Sequence, residues 1–205
     1  MFGRAPGTNY KTMKILEQRI LAEGKNLGSG ILKVDSFVNH QVDPVLMNAC
    51  GEEFARLFAP VRPTKVLTCE ISGIAPALTT AIHLGIPVVY ARKTKPITMP
   101  DTVLMATAPS HTKKKDVSLM ASPEYMRPGE RILIIDDFLA TGLTILALAR
   151  IVKAAGGELV GVGALIEKSF EGGRAALAEL NVPVRSLAVI AGMDGNAITF
   201  AKNAD

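Results

Sequence analysis

The chain has 205 residues, 48% hydrophobic and 20% charged, which fits one folded domain with a sizeable core and excludes a disordered or collagen-like polypeptide. No apolar run reaches the roughly 20 residues of a membrane span, and the first residues lack the apolar stretch of a secretory signal, so a cytoplasmic protein with no membrane partner is expected. The net charge of +4 comes from scattered Lys and Arg, with a tight run only at Lys113–Lys115, so an anionic small molecule is a better match than nucleic acid.

Residues 1–12 carry Gly, Pro, Arg and Asn but no periodic apolar pattern, and are expected to be a disordered extension ahead of a single domain over 13–205. Met13–Gly24 predicts an amphipathic helix with Ile15, Leu16, Ile20 and Leu21 on one face. Ile31–Val34 is a short apolar run. Asp43 is a candidate cap and Pro44 a first-turn residue for a helix that runs to about Phe58. Thr64–Cys69 predicts a strand, Glu70–Gly73 a turn, Ile74–Leu84 a helix closed by Gly85, and Pro87–Ala91 a second strand. The pattern then weakens over Lys93–Asp116, which predicts a long, partly extended loop or ribbon, the kind of segment that is usually functional or mobile. Arg131–Asp136 predicts a strand, Gly142–Ala155 a helix, Glu158–Ile166 a strand, Gly173–Leu180 a helix, Val184–Ile190 a last core strand, and the tail from Ala197 a short one. Strands alternating with helices favour an α/β fold with a mainly parallel twisted sheet flanked by helices. Cys50 and Cys69 lack a C-x-x-C or His partner nearby, so neither a disulfide framework nor a metal cage is expected.

The most informative stretch is Ile132-Leu-Ile-Ile-Asp-Asp-Phe-Leu-Ala-Thr-Gly-Leu-Thr144. An apolar strand ends in two carboxylates, a small-residue turn follows, and a helix begins. Asp136 and Asp137 then lie where open α/β sheets bind ligands. The N–H groups of Ala140, Thr141, Gly142, Leu143 and Thr144 lie at a helix N-terminus, where free donors and the helix dipole favour phosphate. A phosphate beside two carboxylates implies a phosphorylated polyol, with the carboxylates accepting hydrogen bonds from ribose hydroxyls. Ser72 and Gly73 form a second such turn, and Arg92 and Lys93 end the neighbouring strand with positive charge.

This segment resembles the binding motif for phosphoribosyl pyrophosphate (PRPP) of the type I phosphoribosyltransferase family. Leu32-Lys-Val-Asp-Ser-Phe-Val-Asn-His-Gln41, Ser72-Gly-Ile-Ala-Pro76, Pro87–Lys93 and Ile166-Glu-Lys-Ser-Phe170 are similar to the xanthine-using members, in consistent order from about Met13 to Phe200. Two departures stand out. Ala140–Thr144 reads Ala-Thr-Gly-Leu-Thr where those members usually have Ala-Asn-Gly-Gln-Ala, and the first turn is Glu70-Ile-Ser-Gly73 rather than Glu-Ser-Ser-Gly.

The resemblance implies an N-terminal hood over about 13–60 and a core over about 61–205. It implies transfer of 5-phosphoribosyl from PRPP to xanthine, giving xanthosine 5′-monophosphate and pyrophosphate. Asp136 and Asp137 would be the catalytic carboxylates, and Leu32, Asn39 and Lys168 would contact xanthine. Ala140–Thr144, Ser72, Gly73, Arg92 and Lys93 would hold PRPP. Mg²⁺ would arrive with PRPP, without a dedicated protein site, and the chain would be a homodimer. The 93–116 segment would be a closing loop, with His111, Lys113 and Lys114 as candidate contributors. The residues leave open a guanine/hypoxanthine or adenine enzyme, or a non-catalytic PRPP-sensing regulator.

Overall fold

The computed structural model describes residues 13–109, 116–195 and 197–201. Helix α1 (Lys14–Glu23) leads into a small hairpin of β1 (Lys25–Asn26) and β2 (Leu32–Lys33), then a wide helical turn, Asp35–Asn39, and α2 (Pro44–Phe58). There follow β3 (Lys65–Cys69), α3 (Ile74–Leu84), β4 (Val88–Ala91), β5 (Leu104–Pro109), β6 (Asp116–Ala121), β7 (Arg131–Leu139), α4 (Leu143–Ala154), β8 (Glu158–Lys168), α5 (Gly173–Ala176), β9 (Val184–Asp194) and β10 (Ala197–Phe200). The expected extension at 1–12 lies outside the described residues, as do His111, Lys113 and Lys114.

Local chemistry explains the helix ends. The Asp43 carboxylate accepts from the N–H groups of Val45 (3.0 Å) and Leu46 (3.1 Å), and Pro44 occupies the first turn of α2. Gly85 closes α3 in the left-handed conformation. Along α1 the buried pair is Leu16 and Ile20, four residues apart. Ile15 and Leu21, expected on the same face, flank that stripe and are exposed.

The central sheet has the order β10-β9-β8-β7-β3-β4. Its pairs are parallel, apart from the antiparallel β10–β9 edge. The unbroken apolar run Ile132–Ile135 is fully buried because helices cover both faces. Val66, Leu133 and Ile135 pack with Phe54 and Phe58 of α2 and Ala77 and Ala81 of α3. Leu67, Ile132 and Ile134 face Ile145, Leu148, Ile151 and Val152 of α4.

Several boundaries differ from the sequence reading. β7 does not end at Asp136 but continues to Leu139, because β8 runs on beside it: Phe138 pairs with Ile166 and Leu139 with Glu167. β8 is longer for the same reason, with Lys168 paired to Ile190, and β9 is longer because its last residues pair with β10. In Gly173–Leu180 only the first four residues are α-helical, and a tighter 3₁₀ turn, Leu177–Leu180, completes the segment. Of the loop or ribbon expected over 93–116, the structure shows a ribbon, in which β5 pairs antiparallel with β6 and β6 runs on to Ala121. The ribbon is tied to the sheet by Arg92, whose N–H donates to the Met120 carbonyl (2.8 Å) while Met120 N–H donates back to Arg92 (2.9 Å).

Candidate active site

The strand order reverses between β3 and β7, since β3 leads outward to β4 while β7 leads the other way to β8. Open α/β sheets bind ligands at such a reversal, beyond the carboxyl ends of the strands. A cavity of about 300 Å³ lies there. It brings together ten expected residues: Ser72 and Gly73 after β3, Lys93 after β4, Asp136 and Asp137 on β7, and the loop Ala140–Thr144 leading into α4.

On β7, Asp136 is buried and Asp137 partly so. The Asp137 N–H donates to Asp136 Oδ1 (3.0 Å), and the Phe138 N–H donates to Asp137 Oδ1 (2.9 Å). Burial pushes the Asp136 carboxyl well above the usual carboxylate range, and the adjacent Asp137 charge pushes it the same way, while Lys93 opposes the shift. Cys69 also lines the cavity, but burial and the Asp136 charge raise its thiol to about 12. At that value the thiol is neutral at physiological pH, the less nucleophilic form of cysteine.

The two turns are shaped by glycines. Gly142 has φ +81°, a left-handed conformation that favours glycine, and lets the chain swing into α4. Gly73 starts α3 in ordinary helical geometry, so its requirement is space: a Cβ there would overlap Thr68 Oγ1 and stand 2.7 Å from Asp136 Oδ1. The peptide bond Glu70–Ile71 in this turn is cis.

Four expected residues stand outside this cavity's lining. Arg92 turns away: its Nε lies 2.8 Å from Glu70 Oε2, and its side chain lines a second groove with Tyr90, Met99 and Tyr125. Leu32 is buried in the core that Phe138 borders. Asn39 ends its helical turn with an exposed side chain. Lys168 ends β8 with its ammonium 5.4 Å from the centroid of the Phe138 ring, and Phe138 itself lines the cavity. Lys168 Nζ donates to the Gly30 carbonyl (2.7 Å) and lies 3.2 Å from Glu171 Oε1. A lysine has three N–H donors, so one remains for another acceptor.

Glu70, Cys69, Val117 and Leu119 line the cavity without having been singled out from the sequence. Glu70 carried a signal, being the one acid in its turn. Its Oε1 accepts the Lys93 N–H (2.7 Å) while Oε2 pairs with Arg92, so it braces two turns together. Val117 and Leu119 arrive on β6, which runs on past the 93–116 segment read as a loop or ribbon.

Among the described residues, no three His, Cys, Asp or Glu side chains are grouped to hold a metal. No helix among them is long and apolar enough to cross a membrane.

A model of the phosphoribosyl transferase domain matches residues 49–202. Among curated relatives, a xanthine phosphoribosyltransferase of Deinococcus deserti is 52% identical over 89% of this chain and 94% of its own. One of Pseudomonas entomophila is 46% identical over 92% and 99%. Among solved structures, an adenine phosphoribosyltransferase of Rhodothermus marinus superposes with a TM-score of 0.71 at 28% identity, covering 86% of this chain and 99% of that one.

Proposed function

This chain belongs to the phosphoribosyl transferase domain family, and we propose that it transfers 5-phosphoribosyl from PRPP to xanthine, giving xanthosine 5′-monophosphate and pyrophosphate. The relatives with the highest identity quoted above are xanthine enzymes, and the comparison with an adenine enzyme rests on a more distant likeness. The observation that carries the choice of base is Lys168, a donor-only ammonium beside an aromatic ring at the cavity's edge. It suits a carbonyl at purine C6 and mismatches the amine of adenine.

In this reading the loop Ala140–Thr144 grips the 5′-phosphate through main-chain N–H groups at the start of α4. Asp136 and Asp137 accept from the ribose hydroxyls. Ser72, Gly73 and Lys93 hold the pyrophosphate, and Arg92 supports that turn through Glu70. Leu32, Asn39 and Lys168 contact the base under a hood formed by the elements from α1 to α2. A purine ring nitrogen attacks the anomeric carbon, the carbon–oxygen bond to pyrophosphate breaks, pyrophosphate leaves with the electron pair, and the ring N–H proton passes to solvent. The protein's share is orientation and charge stabilisation.

Asp136 and Asp137, which both line the cavity, would offer carboxylate oxygens to Mg²⁺ carried in by PRPP, with most ligands coming from the substrate. Such an ion would neutralise pyrophosphate charge. A homodimer in the cytoplasm completes the reading.

The test is pyrophosphate release on mixing the protein, Mg²⁺ and PRPP with xanthine, guanine, hypoxanthine or adenine. Xanthine is expected to be used best, guanine less well and adenine hardly at all. Efficient use of adenine would overturn the base assignment, and no release with any base would favour a PRPP-sensing protein.

A further inference from the structure

The loop assigned to the 5′-phosphate is braced from behind. The Gly173 N–H donates to the Ala140 carbonyl at 2.9 Å. The two backbones touch so closely that a Cβ on Gly173 would overlap Ala140 O and stand 2.9 Å from Gly142 N. The next residue, Arg174, reaches back to β8. Its Nε donates to Glu167 Oε1 (2.8 Å), a terminal nitrogen donates to Glu167 Oε2, and its Nη1 donates to the Val184 carbonyl (3.1 Å). Ser186 Oγ donates to Glu167 Oε2 (2.7 Å), so one carboxylate holds both α5 and β9. Glu167 is 1% exposed.

Glu167 is the residue before Lys168. In a strand the two side chains point to opposite faces, so the carboxylate that anchors Arg174 lies directly behind the proposed base lysine. An ion pair with its carboxylate buried is a poor device for stability alone, because desolvation of that carboxylate offsets much of the attraction. What a two-pronged Arg–carboxylate pair supplies is fixed geometry.

We infer that Glu167 and Arg174 are positioning residues that set the span between the 5′-phosphate loop and the base lysine, and so tune the site to a nucleoside 5′-monophosphate. This rests on the assignment of Ala140–Thr144 and Lys168 given above. Pyrophosphate, held at the Glu70–Gly73 turn on the β3 side, does not depend on that span.

Calorimetry on the whole chain separates the two ligands. Xanthosine 5′-monophosphate and Mg²⁺-pyrophosphate are each titrated into the unaltered protein and into Arg174→Lys, which keeps the charge and loses the fork. Nucleotide affinity is expected to fall about tenfold or more, since small misplacements in a preorganised site are costly. Pyrophosphate affinity should stay within about twofold, as for a site without shared partners. Should Arg174→Lys fail to fold, Ser186→Ala removes one hydrogen bond from Glu167, keeps the ion pair, and should show the same split at about threefold. Equal losses for both ligands, or none for the nucleotide, would overturn the inference while leaving the proposed function standing. An unaltered protein that binds pyrophosphate but no nucleotide would overturn the site assignment itself, and the inference with it.

Discussion

Replacing Gly73 by Ala tests the spacing on which the site depends. The added methyl would overlap Thr68 Oγ1 and stand 2.7 Å from Asp136 Oδ1 and 3.1 Å from the Cys69 carbonyl. None of the three neighbours is the free end of a flexible side chain. Thr68 is fully buried on β3, and Asp136 is fixed on β7 by the Asp137 N–H. Overpacking of this kind costs about 1–3 kcal/mol, which for a chain of this size lowers Tm by about 2–12 °C. The displaced group that matters chemically is Asp136, and a shift of about 1 Å in a reacting constellation costs up to about 100-fold in rate. Differential scanning calorimetry and steady-state kinetics with varied PRPP would measure the two effects.

A companion change separates them. Thr68 Oγ1 is buried without a hydrogen-bond partner, so Thr68→Ala removes an unsatisfied hydroxyl along with the worst overlap. Combined with Gly73→Ala it should restore part of the lost stability, a coupling of about 0.5–3 kcal/mol. It should not restore the kinetics, because the contact with Asp136 remains. A Gly73→Ala variant with unchanged Tm and PRPP kinetics, or strictly additive stability losses, would refute the reasoning.

Three further outcomes are expected. The Asp136 carboxyl has a folded pKa raised above its ordinary 3.8, so its contribution favours folding while it is protonated and is lost as pH rises through the raised value. Asp136→Asn should therefore melt higher than the unaltered protein at neutral pH without ligand, with the gap closing in acid, and should bind PRPP more weakly; a lower neutral Tm would contradict this. Lys168→Ala should lose about 1.5–3 kcal/mol of transition-state binding with xanthine, the worth of a charged hydrogen bond, while PRPP affinity by calorimetry barely changes; wild-type xanthine kinetics would remove Lys168 from the site. Amides of the β5–β6 ribbon should gain hydrogen-exchange protection when PRPP and a base analogue bind; protection already equal to that of Ile132–Ile135 in the free protein would rule out closure.

The parts of the site legible in the sequence are those set by local order along the chain. An apolar strand, two acids, a glycine turn and a helix must lie in succession, so Asp136, Asp137 and Ala140–Thr144 could be placed from Ile132–Thr144 alone. The central sheet was legible too, because the run Ile132–Ile135 needs cover on both faces. What depends on side-chain direction was not. Arg92 follows β4 at the expected end of the sheet, yet Glu70 draws its guanidinium away from the cavity. The end of β7 was misplaced because Leu139 pairs with Glu167, a partner the local sequence cannot reveal. The same holds for the Glu167–Arg174–Ser186 cluster, whose members are joined only once β8, α5 and β9 are packed.

The pairing of β3 with β7 also bears on when the site comes into being. Thr64 and Arg131 exchange hydrogen bonds across 67 residues of sequence, with Thr64 N–H to Arg131 O at 2.8 Å and Arg131 N–H to Thr64 Oγ1 at 2.9 Å. Parallel pairings over such distances form slowly, because the chain entropy of closing the loop is lost before the contacts form. The cavity lies across this seam, with the Glu70–Gly73 turn on one side and Asp136–Thr144 on the other. A chain with either half folded alone has no substrate cavity, so during refolding the return of PRPP binding should follow closure of the β3–β7 seam and lag behind the recovery of helical signal.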